Sequence, residues 1–369
     1  MGNFDLQRFL VDVFDPQPGE VVAVLVDEPR APEDETPSWA ERRGMAAEWR
    51  DGAEALGRRI GFETLPLVAY RATMANGADF PERCRVGDRD AKLAEILDRV
   101  SLAIALTEYS PTAALVDVCK RRPGAHVFRA ASMPGVERRM EESSLAADYA
   151  EVARRCRLLR DAFRRATGVE VVFSTGHRCF FDLRHRTCET DDGYLHRDKA
   201  DDIPVINLPS GETFCVPYEG EKPGDPSRTE GELPVAAPGG TVVFRVAQNR
   251  ITSVEDGGGA AEAARQWQSY FDVDLARANV AEVAFGCNDR AVVTGNVLED
   301  EKAGFHWAFG RSEHLGGVTG PGDFRRPENV VHQDIVYAKG SPISVASADL
   351  VTPEGARIAV IRDAAYVLW

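Results

Sequence analysis

The chain predicts an α/β fold in two parts: an N-terminal doubly wound α/β domain, then a C-terminal domain of mixed, largely antiparallel β structure. Three observations carry that expectation. At 369 residues the chain is longer than one hydrophobic core usually organises, so two domains are expected. Over residues 1–167 β-rich runs alternate with helical segments, the pattern of a parallel sheet covered on both faces. Over residues 168–369 short strand candidates follow one another, divided by Gly/Pro/Asp clusters.

In order along the first part, the turn Pro16-Gln17-Pro18-Gly19 precedes a β-rich run at 20–27 (EVVAVLVD). Residues 38–60 carry apolar side chains at helical spacing. A second buried strand is expected at 101–106. Ser110-Pro111 reads as an N-cap with proline at the first helical position, leading into a helix at 112–121. A third strand is expected at 125–129. One long amphipathic helix is expected at 140–166, stopped by Gly168. In the second part, strands are expected at 169–174, 178–184, 203–208, 241–246, 281–285, 291–294, 330–338 and 356–361, with one helix at 261–271. The breaks between them fall at 223–227, 237–240, 256–259 and 319–323.

Composition narrows the function classes. Hydrophobic residues make up 44% and charged residues 28%, ordinary for a globular protein. The net charge of −15 argues against nucleic acid and against an anionic membrane surface as partners. It suits a substrate bearing an ammonium group. The N-terminal Met1-Gly2-Asn3-Phe4-Asp5 lacks a basic leader, Leu6 breaks a myristoylation pattern, and no apolar run approaches a membrane span. The seven cysteines are odd in number and form no CxxC, so reduced, packed thiols in a cytoplasmic protein are expected.

The chemistry concentrates late in the chain. His332 and Asp334 lie two apart in an expected strand, so both side chains leave one face. Glu212 follows a tight turn in Pro209-Ser210-Gly211-Glu212. Glu282 stands alone in an apolar strand. Glu299-Asp300-Glu301 precedes Gly304-Phe305-His306-Trp307-Ala308-Phe309-Gly310. Four carboxylates and two imidazoles are enough donors for two divalent ions. Each also has a bland alternative. Glu282 fits a solvated edge charge, His306 a hydrogen-bonded core histidine, Glu301 a solvated loop, and His332 with Asp334 a structural pair. Together they favour a cation, because acids set at turns and strand ends of one β-rich part need one to be buried.

No GxGxxG, P-loop, HExxH or GxSxG motif occurs. Gly316-Gly317 and Gly320-Pro321-Gly322 suggest a loop close to the site. Glu313 and His314 are further residues within reach of it. His177, His185 and His196, with Arg178, Arg184 and Arg186, fit either a cleft wall or a surface hairpin.

The order P-S-G-E, a strand bearing Glu, E-K-x-G-x-H-x-A-x-G and then H-x-D resembles the metallo-aminopeptidases of the aminopeptidase T and S type. Pro18-Gly19-Glu20-Val21-Val22, Thr167 to Val171 and Phe181-Asp182-Leu183-Arg184 extend the resemblance over most of the chain. It implies a cytoplasmic exopeptidase with two bound divalent metal ions (zinc, cobalt or magnesium), acting as a homodimer on a peptide or a small amino-acid-derived substrate. Glu212, Glu282, Glu301, His306, His332 and Asp334 match the family's metal and catalytic positions. The resemblance makes Glu282 and Asp334 bridging ligands and Glu301 or Glu212 the general base. Two departures stand out. Glu313 occupies the place of a family tyrosine seven residues after the histidine, and the chain is shorter than typical members.

Two other readings share the architecture. Ring-cleaving dioxygenases of the 2,5-dihydroxypyridine type hold one iron(II) by two histidines and a carboxylate. A histidine is expected at position 282 in that pattern, and this chain has glutamate. The other is a non-catalytic metal-binding protein on the same scaffold, suggested by Glu313.

Overall fold

The structure, a computed structural model, describes residues 4–199 and 204–369. Met1-Gly2-Asn3 and Ile203, the first residue of an expected strand, lie outside the described residues. The chain forms an α/β unit and a β-rich unit. The first takes in Met1–Ala153, Asp191–Gly211 and Asn288–Lys302, and the second Arg154–Thr190, Glu212–Cys287 and Ala303–Trp369.

The first unit is built on an eight-stranded sheet. Its order is Val205–Asn207, Arg129–Pro134, Leu102–Thr107, Val21–Glu28, Val68–Arg71, Arg83–Val86 and Arg89–Lys92, with Glu63–Thr64 also paired to Val21–Glu28. The first five run parallel. A strand buried on both faces reads as an unbroken apolar run, as Val21–Glu28 does. Val22, Val24 and Val26 pack with Met45, Trp49 and Leu56 of the helix Pro37–Ile60. Ala23 and Leu25 point the other way, toward Leu115 and Val118 of the helix Thr112–Arg121. Helices therefore cover both faces, and the doubly wound expectation holds. Thr36 caps the longer helix by accepting from Trp39 N, and Gly61 ends it at φ 103°.

The second unit holds two antiparallel sheets. The smaller runs Glu189–Asp191, Glu212–Cys215, Val280–Gly286, Gly304–Gly310, His332–Ala338. The larger has eight strands, from Arg250–Asp256 through Gly240–Ala247, Glu230–Ala237, Arg178–Asp182, Gly168–Phe173, Val345–Val351 and Arg357–Arg362 to Ala365–Tyr366. Aromatic rings join them: Phe244 meets Trp307 at 5.9 Å and Phe173 meets Tyr337 at 4.8 Å.

Several local expectations fail for identifiable reasons. The strand expected at 125–129 begins only at Arg129, because Val127 N and Phe128 N both turn back to Gly124 O. The long helix is two short 3-10 turns followed by Tyr149–Phe163, because Asp148 accepts from Ala150 N and Glu151 N and restarts the helix there. Gly168 opens a strand and stops no helix. Pro111, not Ser110, is the N-cap of Thr112–Arg121. Residues 291–294 form no strand. Thr294 N and Gly295 N donate to the Asp300 carboxylate, and Val292 and Val293 are exposed. The strand at 203–208 is Val205–Asn207 and joins the parallel sheet of the first unit. Cys188 and Cys215 form a disulfide, while Cys84, Cys119, Cys156, Cys179 and Cys287 are buried thiols. Among the described residues no helix is long and apolar enough to cross a membrane.

Candidate metal centre

The smaller sheet of the second unit supplies the site by simple alternation. In Gly304–Gly310, Phe305, Trp307 and Phe309 face the aromatic layer, so His306 and Ala308 face the opposite side. Cross-strand register extends that side. Ala284 pairs with His306, Ala308 lies between Glu282 and Asp334, Gly310 pairs with His332, and Gly286 pairs with Glu212. Directly opposed residues share a face. Glu212, Glu282, His306, His332 and Asp334 therefore rise from one surface, with glycine and alanine between them. Those small residues leave room for five polar side chains to converge.

They form two groups that share Glu282. Glu212, Glu282 and His306 offer donor atoms within 4.8 Å of one another, and so do Glu282, His332 and Asp334. One oxygen of Glu282 lies 3.0 Å from His332 Nε2, and the other 3.7 Å from His306 Nε2. Glu212 Oε2 is 3.4 Å from His306 Nε2, and Asp334 Oδ1 is 3.8 Å from His332 Nε2. His306 is fully buried, and Glu212 and Glu282 are each 6% exposed.

The other ring nitrogens are committed. His332 Nδ1 bonds Arg311 O at 2.7 Å and His306 Nδ1 bonds Gly304 O at 3.2 Å. A carbonyl can only accept, so both Nδ1 atoms carry the proton and both Nε2 atoms face the carboxylates. This is how a ligating histidine is usually oriented. His306 Nε2 and Asp334 Oδ1 are buried without a hydrogen-bond partner. Three hard carboxylates and two borderline imidazoles suit zinc, cobalt or a related divalent ion, and the residues fit such a cation.

The electrostatics express the same demand. Burial disfavours a charged His306, yet contacts with Glu212 and Glu282 outweigh it and hold its pKa well above the usual value. Burial opposes charge on His332 too, but Glu282 and Asp334 push its pKa up to about 9. Burial would raise Glu282, and the two imidazoles reverse this and hold it far below the carboxylate range. Asp334 is raised, first by burial and then by the neighbouring carboxylates against the pull of His332.

The remaining sequence candidates belong to neither donor group. Glu301 belongs to the first unit and pairs with Lys302 Nζ at 2.6 Å. Glu313 is exposed and bonds Arg311 at 2.7 Å, whereas the His314 ring stands edge-on to His332 at 4.9 Å. His177 bonds Thr175, His185 bonds Asp225, and His196 faces Asp12 O. Sequence reasoning missed the Arg311 carbonyl, which no side-chain pattern signals. It also missed the Ala284, Gly286, Ala308 and Gly310 floor, which the alternation G-F-H-W-A-F-G did signal.

No protein-family model matches the chain, and neither does any curated protein. Two solved structures are similar over nearly the whole of both chains. One is 2,5-dihydroxypyridine dioxygenase from Pseudomonas putida KT2440, with a TM-score of 0.58, 18% identity, and 100% of this chain and 98% of that one covered. The other is AmpT from Thermus thermophilus, an aminopeptidase T, with a TM-score of 0.54, 16% identity and 98% of each chain covered. What they share with this chain is the fold.

Proposed function

We propose that this chain is a metal-dependent aminopeptidase that removes N-terminal residues from peptides or small amino-acid-derived substrates. The observation that supports this best is the division of the donors: each oxygen of Glu282 faces a different histidine, and each histidine belongs to a different group. Glu212, Glu282 and His306 would hold one divalent ion, and Glu282, His332 and Asp334 a second. Bound there, the ions would polarise the scissile carbonyl and lower the pKa of a water nucleophile.

The side chains have the remaining roles. Glu212 takes the proton of the attacking water and returns it to the leaving amine, a function worth about 10²–10⁴-fold in rate. Glu313 cannot donate a hydrogen bond when ionised, so the preferred substrate differs from that of an enzyme with tyrosine there.

A single-iron dioxygenase is the second reading, since that fold neighbour is slightly the more similar of the two. It needs two histidines and one carboxylate on one ion, whereas each group here has one histidine. The test uses aminoacyl-p-nitroanilides with zinc- or cobalt-loaded protein, and dihydroxypyridine with anaerobically loaded iron(II). Release of p-nitroaniline that disappears in Glu282→Gln and His332→Ala supports the peptidase. Ring cleavage with iron(II) overturns it.

A further inference from the structure

We infer that Glu219 is the positioning residue of the centre, holding His332 and Glu282 in their orientations through the loop after His306. The inference rests on the metal-centre reading. Glu219 lies outside both donor groups. Its side chain is 4% exposed, a rare state for a carboxylate unless fully engaged.

It is engaged by five donors from four segments of the second unit. Oε1 accepts from Asn279 Nδ2 at 2.8 Å, Ser312 Oγ at 2.8 Å and Thr319 Oγ1 at 2.7 Å. Oε2 accepts from Val318 N at 2.6 Å and Arg186 Nη2 at 3.3 Å. Each donor leads toward the centre or braces the clamp. Asn279 precedes the strand Val280–Gly286 that carries Glu282, and its Nδ2 also bonds Gly310 O at the end of the His306 strand. Ser312 follows Arg311, whose carbonyl receives the His332 ring proton. Val318 and Thr319 close the loop back onto Ser312, with Ser312 N donating to Thr319 O at 2.9 Å. Arg186 supplies the opposite charge and is itself only 8% exposed.

The chemistry explains why a carboxylate is needed. Every partner is a donor, so the hub must accept at both oxygens. Glutamine would turn an NH₂ group toward one set of donors and leave them unpaired. With the loop released, Arg311 O no longer fixes the His332 tautomer, and Nε2 no longer faces Glu282 and Asp334. Partners of this kind typically contribute 10- to 100-fold in metal affinity.

The test is titration of Co²⁺ into metal-free wild type, Glu219→Gln and Thr319→Val, with ¹⁵N imidazole spectra of each. Thr319→Val is isosteric and removes one bond while keeping the carboxylate, so it serves if Glu219→Gln fails to fold. Two ions in wild type, a 10- to 100-fold weaker step in Glu219→Gln, a smaller weakening in Thr319→Val and loss of the hydrogen-bonded Nδ1–H signal at His332 support the inference. Wild-type affinities and an unchanged His332 signal in the variants overturn it while leaving the metal centre standing. Failure of wild type to bind Co²⁺ overturns the metal-centre reading and this inference with it.

Discussion

Glu282 is the residue on which the arrangement turns, because both of its oxygens are already directed at imidazole nitrogens. Those imidazoles hold its pKa far below the usual carboxylate range. His332, its pKa pushed up to about 9, is charged at pH 7, and the contacts of His306 with Glu212 and Glu282 shift it in the same direction. A ligating imidazole must be neutral, so cation uptake at pH 7 is expected to release the His332 proton. Calorimetry in buffers of different ionisation enthalpy measures this, and zero release would contradict the assignment. The same shifts set a stability profile. A histidine whose folded pKa is raised stabilises the fold fully below its unfolded value near 6.5, and that contribution fades as pH rises through about 9. Metal-free protein should therefore lose stability between pH 6.5 and 10 in denaturant titrations, and His332→Gln should flatten the trend. The five converging side chains were legible in the sequence as residue types at strand spacing. The Glu219 hub was not, since its partners are backbone and hydroxyl donors brought together only by folding.

At the scale of the element, the period-two pattern of Gly304–Gly310 did most of the positioning. Aromatic residues on one side fix which way the strand faces, and a slip of one residue would bury His306 among rings. Ala308 matters for what it lacks. It sits between Glu282 and Asp334 in one cross-strand row and is fully buried. Ala308→Leu should fill the space the two carboxylates share, cost about 1–3 kcal/mol in urea unfolding and reduce bound Co²⁺ to one ion or none. Retention of two ions would show that the row has room to spare. Strong strands and helices were readable because periodicity reports burial directly. The failures at 125–129 and 140–166 came from turns and caps made by single residues, Gly124 and Asp148, that outweighed the surrounding pattern. Strands such as Glu230–Ala237, with Pro234 and three other polar or glycine positions, carry too little alternation to be read.

At the scale of the whole molecule, the α/β and β-rich halves were foreseeable, but the assignment of Val205–Asn207 to the parallel sheet was not. Which sheet a short strand joins depends on partners far away in sequence. One such tie is buried: Arg129 donates to both oxygens of Glu20 and to the carbonyls of Phe14 and Leu195. Arg129→Met should cost about 3–5 kcal/mol in denaturant unfolding, because Glu20 loses its buried counter-charge and keeps only the more exposed Arg197 at 3.8 Å. Recovery of most of that loss in the double variant with Glu20→Gln would confirm the cause. The strand His332–Ala338 is the outermost of its sheet. A border strand is held by one neighbour only and frays more readily than the strands inside it. His332 and Asp334 thus ride on an edge strand, and a bound ion would act as a staple across the seam. Amide exchange along 332–338 should slow on cation loading far more than along 280–286, so loosening of that hem is the natural route by which the centre would lose its metal.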